Sequence, residues 1–202
     1  MNVEDADRFR RMKLFKLGDI LMGPVKPEDV LEFWTDAGPK KWWKKDPQFD
    51  AEIARLFGGT HAEASTGLLD DWAKEPNSCL ALIIILDQFS RNLFRNDARS
   101  FAQDGQCVAV TKDAIANGFD KKMPEAIASF CYLPLMHSED LADQNLCLDL
   151  MEKTGSEENV KSAVEHRDII AKFGRFPHRN TVLGRETTAE EQAFLDAGGF
   201  AG

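Results

Sequence analysis

The run Asn77-Ser78-Cys79-Leu80-Ala81-Leu82-Ile83-Ile84-Ile85-Leu86 decides the fold class. Asn77 and Ser78 are residue types that cap a helix start. The eight apolar residues that follow, Cys79–Leu86, are too many for one face of a surface helix. They predict a central helix buried on most sides. The run is far shorter than the roughly 20 residues a membrane span needs, so it is read as core.

Helical signals continue in both directions. Pro27-Glu28-Asp29 opens a first helix whose apolar face is Val30, Leu31, Phe33 and Trp34. Asp46-Pro47 opens a second, with Phe49, Ile53, Leu56 and Phe57 at helical spacing. Gly58-Gly59 is read as its stop, with a third helix over about His61 to Trp72. Further on, Asp97 is placed as the cap of a long helix reaching Asn117, ended by Gly118. Pro124-Glu125 opens a helix interrupted at Pro134, and Ser138 starts one that ends near Gly155. Ser156-Glu157-Glu158 starts another that ends at Gly174, and Thr188-x-x-Glu191 is a capping box for a last short helix. Almost nothing alternates with period two, and helices joined by short loops pack antiparallel. The expectation is an all-α array, with residues 1–24 as an N-terminal extension and 25–202 as one helical domain. Met1–Leu17 lacks the layout of a signal peptide and is read as a frayed or partner-contacting extension.

The net charge of −9 argues against an extended nucleic-acid surface, which needs a basic field. No stretch is apolar enough for a membrane. Cys79, Cys107, Cys131 and Cys147 are far apart in sequence and sit in apolar helical patterns. They read as small buried hydrophobes in a reducing cytoplasm. No Gly-rich phosphate loop or nucleophile elbow is present, and no cofactor is implied.

Polar residues concentrate in three stretches: Leu86–Arg95, Leu133–Gln144 and His166–Asn180. Three of the four histidines, His137, His166 and His178, lie there. Seven of the 11 Arg fall in 91–99 and 167–185, against one of the 14 Lys, Lys172. A solvated face would use both cations; Arg alone suggests planar, multidentate donors in partly buried places.

These stretches carry a family resemblance. Leu-Asp-Gln-Phe-x-Arg-Asn-x-Phe-Arg, His-Ser-Glu-Asp-x-x-x-Gln and Phe-Gly-Arg-Phe-Pro-His-Arg-Asn with Leu183-Gly184-Arg185-Glu186 resemble the bacterial domain-of-unknown-function family 924. Leu31-Glu32-Phe33-Trp34 and the Trp-x-x-x-Asp-Pro-x-Phe-Asp run ending at Asp50 fit the same pattern, so the similarity covers about Val30 to Leu195. Ser90 stands where the pattern has Pro, and Thr187 where Ser is commoner. The resemblance implies a tetratricopeptide-like helical fold and no established reaction.

The residues leave several chemistries open. Asp87, Arg91 and Arg95 share a face if the helix continues, either as an Arg pair offered to an anion or as an ion-pair ladder. His137, at the helix break before Ser138, is a candidate acid/base, with neighbouring peptide N–H groups favouring its neutral form. Glu139 is its candidate carboxylate partner, or merely complements a helix dipole. His166 leans toward the core with Ile169, Ile170 and Phe173 and is a third catalytic candidate. Arg175, His178, Arg179 and Asn180 crowd one Pro-containing turn, as ligand-binding groups or as locks on a buried loop. A metal on the three histidines is disfavoured, because clustered Arg would repel a dication and no single-helix ligand pair exists. Three readings follow: a binder of a small anionic ligand or acidic peptide through Arg91, Arg95, Arg175, His178, Arg179 and Asn180; an enzyme using His137, Glu139 and His166; or a purely structural interaction module. The oligomeric state is not legible.

Overall fold

Residues 24–200 are described by the computed structural model; the expected N-terminal extension lies almost wholly outside them. No strand occurs among the described residues. The first helix, α1, spans Pro27–Ala37, with Pro at its first turn and Glu28 and Asp29 facing its positive end. It buries Val30, Leu31 and Trp34, while Phe33 is half-buried. A short α2, Pro39–Trp42, follows the left-handed Gly38.

The helix α3 departs from expectation. It runs Pro47–Ser65 without stopping at Gly58-Gly59, so no separate helix starts at His61. Two helical glycines cost about 1 kcal/mol each relative to Ala. Burial of Phe57, Thr60, His61 and Ala64 beyond or beside them offsets that cost. The chain then turns through a 3-10 segment, Asp70–Lys74.

The central helix forms as α4, Pro76–Ile84, and Cys79 through Leu86 are all essentially sealed from solvent. Its N-cap is Glu75, not Asn77 or Ser78; Ser78 Oγ instead donates to the carbonyls of Trp72 and Glu75. It packs against α1. Beyond Ile84 the backbone winds as a π-turn over Ile85–Phe89 before a last α-turn, α5, Ser90–Leu93. The apolar run therefore carries the chain straight into the first polar stretch. The wider turn changes which side chains share a face there.

Asp97 caps only a 3-10 turn, Ala98–Phe101, and α6 spans Asp104–Ala116. Pro124-Glu125 opens no α-helix; a 3-10 turn, Ala128–Cys131, leads into α7, Leu133–His137. Pro134 sits in the first turn of α7, where its missing N–H costs nothing, and so starts a helix rather than interrupting one. The helix α8 is Leu141–Thr154, capped by Asp140 rather than Ser138 and closed by left-handed Gly155. With α9, Glu157–Phe173, it forms the closest helix pair, joined by a two-residue turn. Ser156 and Gly174 begin and end α9 as expected. The capping box of Thr188 and Glu191 opens α10, Ala189–Asp196.

The main core draws on α1, α3, α4, the π-turn, α6, α7 and α8, and a smaller cluster holds Ile169, Ile170 and Phe176. All four cysteines are free and buried in the main core. No helix among the described residues is long and apolar enough to cross a membrane.

Candidate functional site

The three polar stretches meet. The π-turn and α5 bring Asp87 and Arg91, and the turn after α5 brings Arg95; the end of α7 brings His137; α9 brings His166; and the Pro177–Arg179 turn brings His178 and Arg179. A cavity of about 340 Å³ is lined by Arg91, Arg95, Arg179 and Lys45, together with His137, His166 and His178. Phe101, Val182 and Phe200 supply apolar wall. Among the described residues no Asp or Glu lines it. Asn96, also on the wall, is in the left-handed region at φ 61°, as the chain turns away after α5.

The carboxylates stand behind the cations. Asp87, 1% exposed, lies 3.0 Å from Arg91 Nη1 and accepts from His137 Nδ1 at 2.8 Å. Burial alone would raise the Asp87 carboxyl, but the charge of Arg91 and the bond from His137 hold it well below the carboxylate range. Asp104 bridges two arginines, 3.1 Å from Arg91 Nη2 and 3.1 Å from Arg179 Nη1. Arg179 also donates to the His137 carbonyl at 3.0 Å, and its guanidinium lies 4.5 Å from the ring centres of both Phe101 and Phe176. Burial brings the Arg179 pKa down to about 10, which leaves it charged at neutral pH. Arg95 does not extend an Asp87–Arg91 ladder, because α5 has ended; it forks onto Asp50, 2.9 Å from Nη2 to Oδ1, and Asn92 donates to the same carboxylate.

The histidines are held neutral. Burial lowers His137, and Arg91 lowers it further against the pull of Asp87. This corrects the expected cause: His137 ends α7 and does not sit at a helix N-terminus. Burial also lowers His166, and it brings His178 down to about 4 with help from Arg179. His166 Nδ1 lies 2.8 Å from the Ser162 carbonyl, which can only accept. Asp87 plays the same accepting role for His137. Both neutral rings therefore carry their proton on Nδ1 and a lone pair on Nε2. Neither Nε2 has a protein partner among the described residues, and neither is sealed from solvent.

Three expected site residues lie elsewhere. Glu139 lines a neighbouring cleft of about 410 Å³ that shares Phe101, His137 and Arg179 with the cavity. Its carboxylate is spent on Arg185 at 2.7 and 3.0 Å and on the Phe176 N–H at 2.8 Å. Burial would raise its pKa, but Arg185 and that N–H bring it below the ordinary value. The acid beside His137 is Asp87 instead. Arg175 forks onto Glu191 at 2.6 and 2.8 Å, and Asn180 donates to Glu191 at 3.2 Å, which ties the turn to α10. Among the described residues no group of three His, Cys, Asp or Glu is placed to hold a metal ion. Sequence reasoning missed Asp104, Asp50, Lys45 and Phe200. Asp50 closes one of the family-like runs and Arg185 belongs to another, which was a usable signal.

No curated protein matches this chain. A solved structure of a protein of unknown function from Agrobacterium tumefaciens is 42% identical and superposes with a TM-score of 0.82, covering 85% of this chain and 97% of that one. The family model described as a bacterial protein of unknown function, DUF924, matches residues 30–199. That span holds all three polar stretches and every Arg and His of the cavity, and the chain belongs to this family.

Proposed function

We propose that this chain binds a small anionic ligand in the cavity between the π-turn, α7, α9 and the Pro177–Arg179 turn. One observation carries the reading: four cations and three imidazoles line the cavity, and no carboxylate among the described residues does. Its volume is at the lower end of small-molecule sites, which run roughly 300–1,000 Å³. Asp50, Asp87 and Asp104 orient the guanidinium groups from behind, and guanidinium forks match carboxylate and phosphate oxygens. An acidic peptide end has the same chemistry, but the small volume favours a small molecule. The antiparallel α8–α9 pair fits the tetratricopeptide-like arrangement the resemblance implies, and four buried thiols suit a reducing cytoplasm.

The test is thermal. Phosphate or a dicarboxylate should raise Tm with concentration, beyond chloride of equal ionic strength, by the stability that ligand linkage supplies. Arg179→Lys should weaken the response, since Lys keeps the charge and loses the fork. A response no larger than that to chloride overturns the proposal.

A second reading is favoured by the Asp87–His137 bond. A buried carboxylate on Nδ1 orients an imidazole whose Nε2 faces a ligand, the arrangement of a general base. In this reading His137 moves the proton, Asp87 positions it, His166 is a second candidate, and the arginines hold the substrate. His137→Gln should then abolish turnover of any substrate found in a metabolite screen while anion binding persists. Full turnover in the variant retires it.

A further inference from the structure

We infer that the ligand is an oxyanion that also carries hydrogen-bond-donating hydroxyls, as a phosphate or its monoester does, or a hydroxy acid. This rests on the anion-binding reading and narrows it. The cations alone would accept any anion of suitable size. The histidines would not. His137 Nδ1 is committed to Asp87 and His166 Nδ1 to the Ser162 carbonyl, both at 2.8 Å. Neither partner can give a proton back: one is a carboxylate held ionised by Arg91, the other a peptide oxygen. Each ring therefore turns an acceptor, Nε2, into the cavity, and the ring centres are 6.3 Å apart.

Two lone pairs facing a cationic pocket make a matched demand. The anion's bare oxygens satisfy Arg91, Arg95, Arg179 and Lys45, while its O–H groups satisfy the imidazoles. An anion with no O–H would set its oxygens against the two nitrogens and leave both unpaired on desolvation. Sites built to bond a hydroxyl reject the analogue lacking it far more strongly than apolar pockets reject a missing methylene. The rings could adapt by taking up protons, but they stand among four cations, with burial already favouring their neutral form.

Two matched pairs of probes test this by calorimetry at pH 7.0 and constant ionic strength: phosphate against sulfate, and malate against succinate. The expected result is at least a tenfold preference for the hydroxyl-bearing member of one pair or both. The pair that discriminates separates phosphate chemistry from hydroxy-acid chemistry. In His166→Leu the preference should collapse, chiefly through weaker binding of the favoured member. Should that variant not fold, the parent still decides through pH. Sulfate or succinate binding should strengthen as pH falls from 7 to 5, with proton uptake seen as a buffer-dependent heat, while phosphate or malate binding takes up fewer protons. Equal affinity within both pairs overturns the inference and leaves the anion site standing. Binding of none of the four overturns both.

Discussion

Two arginine clusters sit a few residues apart in the same turn and are built to different ends. Arg175 has both faces of its fork on Glu191 and a further bond to the Glu186 carbonyl, and Asn180 and the Thr188 N–H share that carboxylate. The forked Arg175 donors, the Asn180 amide and that N–H all meet one protein carboxylate. Around Arg179 the accounting is open. Arg91, Arg95 and Arg179 share three carboxylates that stand behind them, and among the described residues no acid lines the cavity they face. Composition alone does not separate a lock from a binding site; the difference is whether the partners are used up. His61 repeats the lesson for histidine. It lies in the core on Ser90 and Ser65 with both nitrogens engaged, whereas His137 and His166 keep one nitrogen free.

The largest expected effect falls on the hinge of the open cluster. Asp87→Ala leaves the His137 Nδ1–H without its acceptor, takes one of Arg91's two carboxylates and opens a buried gap, and should cost about 3–5 kcal/mol, as breaking one side of a buried pair does. Urea unfolding measures it, and a loss below about 1 kcal/mol would mean that Asp87 holds nothing together.

Glu191→Gln probes the closed cluster. Its pKa is held at about 2 by Arg175, below the ordinary 4.5, so its contribution is complete above pH 4.5 and is lost as pH falls toward 2. The variant should melt about 2–6 °C lower at pH 7 and lose less stability than the parent across that window, with the anion response unchanged. An abolished anion response would merge the two clusters into one site.

His178 gives the same sign in a higher window. Its folded pKa, about 4, lies below its ordinary 6.5, so the unfolded chain takes up the proton first. Stability is complete above pH 6.5 and falls as pH drops from 6.5 to about 4. His178→Phe should flatten that part of the Tm-against-pH curve, and an unchanged slope assigns it to His137 and His166. The smallest structural effect is expected at the exposed Lys45. Lys45→Glu should change stability by less than about 0.5 kcal/mol yet weaken the anion response; an undiminished response removes Lys45 from the site.

Much of the fold was legible because local chemistry and burial agree. Pro27, Ser156, Gly155, Gly174 and the Thr188 box mark boundaries that tertiary packing does not contest. Gly58-Gly59 failed as a stop because residues beyond it bury on the same face of α3. The π-turn at Ile85–Phe89, where the apolar run passes into Asp87 and Gln88, has no residue signature that separates it from a continuing α-helix. At the site, the residue types were legible and the pairing was not. Arg95 meets Asp50 across 45 residues and Arg179 meets Asp104 across 75, so no local spacing separates a spent arginine from a free one.

The most direct test of the central claim is where an anion sits. Crystals grown without sulfate or phosphate and soaked in arsenate would locate it by anomalous scattering. Arsenate, being protonated at neutral pH, matches both demands of the cavity. The account predicts a peak in the cavity, placed so that the anion's oxygens reach Arg91 or Arg179 and Nε2 of His137 or His166. A cavity without a peak, with arsenate only on exposed lysines, would contradict it.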